Sequence, residues 1–278
     1  MIDLIIFTCE GREHLLQKTV QSFTKACSYP FKKFILAVDG KIDPAIIIEI
    51  NPHITIQYNT RRGYVNSIAN ALKLVDAPYF FWLEDDWTFH KTFDLNYQLG
   101  LLQQHKNWCQ VLFSQWTPLK SELKALPIND NLYETTFGFS ANPCLCNTVY
   151  IKSAFTLLEQ APKGDKLGEH GFENFLTANF KENQIKSVII DPADQINISH
   201  EGYLESTPRS WHMTNSLEQR TKTHLLTIPK PPLWRKLLMV VKLTRALFEL
   251  AIKQLGNNEM YEFSFRIIAS LKSIRKRA

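Results

Sequence analysis

The sequence holds no run of ~18 consecutive apolar residues, so no membrane-spanning helix is expected. Its opening, MIDLIIFTCEGR, has neither the basic start, the long apolar stretch nor the small-residue cleavage site of a secretory signal. The cysteines, at 9, 27, 109, 144 and 146, are odd in number and show no disulfide-framework spacing. Cys144 and Cys146 sit one residue too close for a C-x-x-C metal or redox pair. Reduced thiols in a cytoplasmic compartment are therefore expected. Internal repeats and low-complexity segments are also missing, which excludes solenoid and disordered-tract architectures.

What is present is ordinary globular composition: 278 residues, 45% hydrophobic and 21% charged. That length suits one large α/β domain or two small ones. The net charge of +5 is unevenly placed. From Pro232 onward 10 Lys and Arg face 3 acidic residues, whereas the remainder is slightly acidic. A near-neutral body argues against nucleic-acid binding, and the basic tail points to an anionic surface.

Along the chain, IDLIIFT (2–8), KFILAVDG (33–40), ITIQYN (54–59) and YFFWL (79–83) read as buried strands. Helical stripes separate them at 14–26 and 61–75, the second beginning around Gly63 and ending before Pro78. This alternation predicts a largely parallel sheet covered on both faces. The second half is less regular. Helices are expected at 93–105, 153–160 and 172–183, and strands at 108–116, 186–191 and across 135–151 with a break at Asn142-Pro143. Pro229-Lys230-Pro231-Pro232 marks a boundary, dividing a domain over 1–228 from a C-terminal region over 229–278.

Polar residues gather where strands end: Thr8-Cys9-Glu10, Asp39-Gly40 and Glu84-Asp85-Asp86. In an open α/β sheet, ligands bind beyond the carboxyl ends of the strands. With the first, second and fourth strands adjacent, all three groups face one crevice. Residues i and i+2 of an extended segment share a side, so Glu84 and Asp86 are expected to converge while Asp85 points away. Two hard oxygen donors suit Mg²⁺ or Mn²⁺, and a solvated acidic turn is the other reading. Asp39 reads either as a turn residue or as a hydrogen-bond acceptor for a ribose or base. Arg61 and Arg62 before a helix start are either solvated or part of a diphosphate cradle.

Together these blocks resemble the nucleotide-sugar-dependent GT-A glycosyltransferases, particularly glycosyltransferase family 2. IIFTCEGREHLLQKTVQSF is similar to the family's first strand, loop and helix, and ILAVDGKID to its second strand. GYVNSIANALKLVDAPYFFWLEDDW resembles the stretch leading into its DXD metal motif, here in the form E-D-D. The resemblance covers residues 2–90 well and 135–203 loosely. It implies a GT-A (Rossmann-like) α/β fold: a mixed, mostly parallel sheet flanked by helices, with a C-terminal helical appendage. It implies nucleotide contacts from Thr8, Cys9, Arg12, Asp39, Arg61, Arg62, Gly63, Glu84 and Asp85, and Mn²⁺ or Mg²⁺ held by Asp86, Glu84 and His200. It also implies an acidic pair at a helix start that supplies the general base. Glu173 matches the first position of that pair and Asn174 stands where the family has aspartate, so Glu169 and then Asp165 are kept behind Glu173. Glu173 also reads as a first-turn glutamate favoured by the helix dipole, and His200 as a structural histidine. Trp87, Phe139 and Trp211 are either core or sugar-stacking residues.

The tail segment LWRKLLMVVKLTRALFELAIKQL places Arg235, Lys242, Arg245, Glu249 and Lys253 on one helical stripe. Such a helix suits the interface of an anionic membrane, through residues 233–277, or packing within a homo-oligomer. The expectation is a metal-dependent, inverting transferase that moves a sugar from a UDP-linked donor to a hydroxyl of a glycan or lipid-linked acceptor. It would work in the cytoplasm, on the inner face of a membrane. Two alternatives stand beside it. A sugar-nucleotide nucleotidyltransferase would show a Gly-rich phosphate loop, where TCEGREH has one glycine. A non-catalytic nucleotide-sugar-binding scaffold is the other.

Overall fold

A computed structural model describes residues 1–115, 119, 123–160, 165–191 and 197–201, and farther on residues 241, 244, 245 and 248; over 165–171 it describes the backbone alone. The chain separates into two compact units, Met1–Lys222 and Thr223–Ala278. The boundary expected at 228/229 lies outside the described residues, as does most of the basic tail.

Among the described residues, the first unit is built on a sheet of nine strands. β1 (Ile2–Cys9), β2 (Lys33–Asp39), β3 (Ile54–Ile56) and β4 (Tyr79–Glu84) form its parallel half, with α1 (Glu13–Ala26), α2 (Pro44–Ile50) and α3 (Tyr64–Lys73) as connections. Next in the chain come β5 (Trp87–Phe89), α4 (Leu95–Gln104), β6 (Trp108–Phe113), β7 (Lys124–Asn129), β8 (Leu132–Thr135) and β9 (Cys144–Asn147). They are followed by α5 (Thr148–Gln160), α6 (Asp165–Glu182), β10 (Lys186–Ile190) and β11 (Ile198–His200). The strand order is β3-β2-β1-β4-β9-β6-β10-β8-β7, and β5 with β11 makes a separate two-stranded ribbon. β9 runs antiparallel to both β4 and β6, which makes the sheet mixed as expected.

Continuous apolar runs become strands here because both faces of the sheet are covered. In β1, Ile5 and Phe7 pack with Val65 and Ile68 of α3 and with Phe155, Phe172 and Leu176 of α5 and α6. The alternate residues Leu4 and Ile6 pack on the other face with Leu16 and Phe23 of α1 and with Leu95 and Leu102 of α4. With β1 lying between β2 and β4, Cys9 pairs with Asp39 and Phe7 with Glu84. The polar ends of three strands therefore meet at one edge.

Several elements differ from the sequence reading. The strand expected through residue 151 stops at Asn147, whose Oδ1 accepts from the Val149 N–H at 3.1 Å and so caps α5. Ile151, Ala154, Phe155 and Leu158 then bury one helical stripe, and that burial outweighs the β-propensity of Val149 and Ile151. α6 begins seven residues earlier than expected, at Asp165 rather than at 172. Pro44 opens the unforeseen α2, with Asp43 accepting from Ala45 N at 2.8 Å. No disulfide forms among the described residues, and all five cysteines are free thiols.

Candidate active site

A cavity of about 570 Å³ opens at the carboxyl ends of β1, β2 and β4. Thr8, Cys9, Arg12, Asp39, Arg61, Glu84, Asp85, Asp86, Glu173 and His200 all reach its wall. Ten of the residues singled out from the sequence thus share one space, although they come from positions far apart in the chain.

The E-D-D segment is not an alternating strand. β4 ends at Glu84 and the chain turns over Asp85-Asp86, so the period-two argument fails at that residue. The expectation that Asp85 points away is corrected accordingly: it faces the cavity. Asp85 accepts from Thr8 Oγ1 at 2.6 Å and meets the Arg12 guanidinium at 2.9 Å. Asp86 meets the same guanidinium at 2.5 Å and His200 Nε2 at 3.0 Å. The turn is braced from behind by Thr19 of α1, whose hydroxyl donates to the Asp85 carbonyl at 2.7 Å and accepts from Trp87 N–H at 3.1 Å. Glu84 accepts instead from the Tyr64 hydroxyl at the start of α3.

These partners set the charge of each group. Burial, with the Asp86 charge beside it, holds the Glu84 carboxyl well above the usual range, against the pull of Tyr64. Burial raises Asp85 to about 7 in spite of Arg12. For Asp86 burial works in the same direction, but His200 and Arg12 outweigh it and keep its carboxyl below the usual range. A neutral Glu84 beside an ionised Asp86 is therefore the favoured state. Burial, with the Asp85 charge, lifts the Cys9 thiol to about 11, against Arg61 and Arg12, which favours the protonated thiol.

Asp39 is 2% exposed and its carboxylate accepts from Arg62 N–H at 2.6 Å and Gly63 N–H at 3.1 Å. It anchors the loop ahead of α3 while still lining the cavity. Arg61 donates to the Glu10 carbonyl and reaches the cavity. Arg62 lies with its guanidinium 4.2 Å from the centre of the Tyr58 ring and is not among the lining residues. Gly63 contributes its N–H to Asp39 at a φ of +94°. The close approach of Glu10 and Arg61 needs Gly40: at φ +106°, a Cβ there would lie 2.7 Å from Glu10 Oε2 and 3.3 Å from Arg61 Cγ.

Glu173 of α6 also lines the cavity, with Oε1 accepting from Ala141 N–H at 2.6 Å. Burial raises its carboxyl above the ordinary range, partly offset by that N–H. It also lines a second cavity of about 450 Å³ together with Ser114, Gln115, Thr136, Ser140, Asn142 and Thr177. The side chains of Glu169 and Asp165, the reserve candidates, lie outside the described residues, as does Trp211.

Residues 3–156 match the profile of Glycosyl transferase family 2, more than half of the chain. The chain belongs to glycosyl transferase family 2. No curated protein matches it. Among solved structures, S. aureus TarS 1-349 in complex with UDP is 14% identical, with a TM-score of 0.51 over 76% of this chain and 62% of that one. GalNAc-T7 with UDP, GalNAc and Mn²⁺ is 13% identical, with a TM-score of 0.52 over 76% of this chain and 47% of that one. Likenesses at this identity show the GT-A fold. The family 2 chain spans less than two thirds of the length of either structure.

Sequence reasoning missed Tyr64, Thr19 and Ala141 in this family 2 site. Thr19 is a hydroxyl on the buried stripe of α1, and that anomaly was legible. Tyr64 and the Ala141 N–H carried no local signal. Trp87 and Phe139 are each 3% exposed and belong to the core, although Trp87 also borders the cavity and packs against His200 with ring centres 4.7 Å apart and the planes tilted by 39°.

Proposed function

We propose that this chain transfers a sugar from a nucleoside-diphosphate donor, UDP-linked, to a hydroxyl of a glycan or lipid-linked acceptor, with inversion. One observation carries the reading: Glu173 lines both cavities, and it shares the larger one with the carboxylates at the ends of β2 and β4. A donor seated at the strand ends would place its anomeric carbon between that rim and Glu173. An acceptor in the smaller cavity would meet hydroxyl and amide side chains suited to a polyhydroxylic ligand. Family membership favours this reading over the nucleotidyltransferase.

The roles follow from geometry and charge. Thr8 and Asp39 would hold the nucleoside, while Arg61 and the N-terminus of α3 would attract the diphosphate. Glu173 would take the proton of the attacking hydroxyl at its second oxygen, with Oε1 fixed by Ala141. Its raised pKa suits a general base working near neutrality. Holding donor and acceptor in line on opposite sides of the anomeric carbon is the larger part of the expected rate gain.

A divalent cation fits the chemistry of the rim. Asp86 Oδ1 is buried without a hydrogen-bond partner among the described residues, and His200 lies beside the other oxygen of that carboxylate. No three such side chains are preformed around one point among the described residues. Asp86 and His200 would hold the cation, with Glu84 reaching it through water and the diphosphate completing the shell. When bound, Mn²⁺ or Mg²⁺ supplies Lewis-acid stabilisation of the departing diphosphate.

Among the described residues no helix is long and apolar enough to cross a membrane. Attachment through residues 233–277 to an anionic membrane surface belongs to the same proposal, as does the division into a catalytic domain over 1–228 and a basic region beyond it. The deciding experiment incubates the full chain with a panel of nucleotide sugars, with and without Mn²⁺, and follows release of the nucleoside diphosphate. Cation-stimulated turnover of one donor supports the proposal. Nucleotide binding without turnover of any donor or acceptor would leave a binding scaffold in its place.

A further inference from the structure

Arg12 sits where a cation is wanted. Its Nη2 alone makes both ion pairs, at 2.9 Å to Asp85 and 2.5 Å to Asp86. Neither contact is the two-pronged fork that gives arginine–carboxylate pairs their strength. Arg12 Nε is buried and unpartnered among the described residues, and so is Asp86 Oδ1. Asp86 is only 6% exposed, so its idle oxygen is a costly arrangement unless a ligand uses it. The guanidinium and the carboxylate are thus each half-used, side by side, on the wall of one cavity.

The setting of Arg12 adds a direction. It lies at the N-terminus of α1, where backbone amides favour an anion. The preceding Gly11 has a φ of +86°, which sets the backbone direction into Arg12, and the Arg12 side chain is itself 24% exposed rather than locked in the core. A diphosphate entering this cavity offers guanidinium a better partner than a shared carboxylate oxygen, because two phosphate oxygens match two N–H groups. Removing Arg12 from Asp86 would leave a buried carboxylate, one oxygen of it unpartnered among the described residues, beside His200, a donor set that a divalent cation can use.

We propose that Arg12 occupies the cation position of the nucleotide-free site, so that a divalent cation and a nucleoside diphosphate bind as a coupled pair, the diphosphate drawing Arg12 away from Asp86. The inference rests on the nucleotide-sugar reading of the same cavity. Its consequence is ordered loading. Free cation is excluded from the empty site, and a cation arriving with the diphosphate is retained.

The test measures Mn²⁺ binding by the loss of the free-ion electron paramagnetic resonance signal, using the full chain with and without UDP and subtracting the loss that the same concentration of UDP causes without protein. UDP binding is followed separately by equilibrium dialysis. For the wild type, Mn²⁺ is expected to bind about tenfold or more tightly in the presence of UDP, within the usual span of coupling between sites. Arg12→Met should bind Mn²⁺ without UDP at least about tenfold more tightly than wild type, and the UDP enhancement should shrink by the same factor, leaving the part that the diphosphate supplies as a cation ligand. Arg12→Lys, which keeps a cation at the position, should stay close to wild type. Equal Mn²⁺ affinity in Arg12→Met and wild type, with UDP binding intact, overturns the proposal about Arg12 alone. Absence of UDP binding by the wild type under every cation condition overturns the nucleotide-sugar reading and the coupling with it. If Arg12→Met does not fold, the wild-type comparison decides: Mn²⁺ affinity indifferent to UDP rejects the coupling.

Discussion

The backbone N–H of Ala141 donates to Glu173 Oε1 at 2.6 Å, tying the loop between β8 and β9 to α6. One helical turn further on, Thr177 Oγ1 accepts from Phe139 N–H at 3.0 Å, so the loop is held at two points on the same face. The candidate base is therefore oriented by one oxygen and left with the other for chemistry.

That arrangement separates catalysis from folding. Glu173→Gln keeps a carbonyl oxygen for Ala141 and should melt within a few degrees of wild type, while turnover falls by about 10²- to 10⁴-fold, the usual worth of a positioned base. Glu173→Ala should lose both activity and stability. In the wild type the acidic limb of kcat/KM should lie above pH 4.5, the ordinary value, because burial raises the carboxyl and the base works only when deprotonated. Melting curves and a pH–rate profile check these outcomes.

Asp86 bears the proposed cation contact and the ion pairs with Arg12 and His200. Asp86→Asn preserves shape but removes the charge that would draw the cation. Cation-stimulated turnover should fall by about 100-fold or more, as expected where several kcal/mol of leaving-group stabilisation is lost. A titration of rate against Mn²⁺ concentration reads this directly. A variant as active and as cation-responsive as wild type would contradict the assignment.

Glu84 makes a prediction about stability. Its folded pKa is raised, so between the unfolded value near 4.5 and the folded value the native state keeps a proton that the unfolded chain has lost. Stability therefore falls as pH rises through that window, by about 1.4 kcal/mol per pH unit for one proton. Glu84→Gln still accepts from Tyr64 and carries no proton to lose. It should melt above wild type at pH 7.5, with the gap closing toward pH 4.5, as scanning calorimetry without nucleotide would show.

Gly40 is constrained twice over, by its φ of +106° and by Glu10 Oε2 lying 2.7 Å from where a Cβ would stand. Gly40→Ala should cost about 1–2 kcal/mol from backbone strain alone, because L-residues disfavour positive φ. It should also displace Glu10 and Arg61, and so weaken UDP binding. Denaturant titration and equilibrium dialysis on the same preparation test both effects.

The basic tail has its own measurement. Reversing Arg235, Lys242 and Lys253 to glutamate removes charges that would each contribute about 1 kcal/mol at an anionic surface. Co-flotation with vesicles containing an anionic lipid should drop sharply, and neutral vesicles should show no difference. Equal flotation of variant and wild type would reject the membrane surface as partner.

Periodicity alone determined that IDLIIFT, KFILAVD and YFFWL are strands buried on both faces, because only a covered sheet tolerates uninterrupted apolar runs. It also determined that the carboxylates of Asp39 and Glu84 sit at strand ends, since a charge ends such a run. It did not determine which groups those carboxylates meet. Arg12 lies beside Asp85 and Asp86, more than 70 positions away, because β1 neighbours β4. His200 reaches Asp86 because β11 pairs with β5, and Glu173 enters because α6 packs over the same face as α3. The turn at Asp85, braced by Thr19, reversed an orientation that alternation alone predicts. Local patterning reports how each segment buries its own side chains. The partners of a buried charge are chosen by strand order and helix packing, and those exist only once the chain has closed on itself.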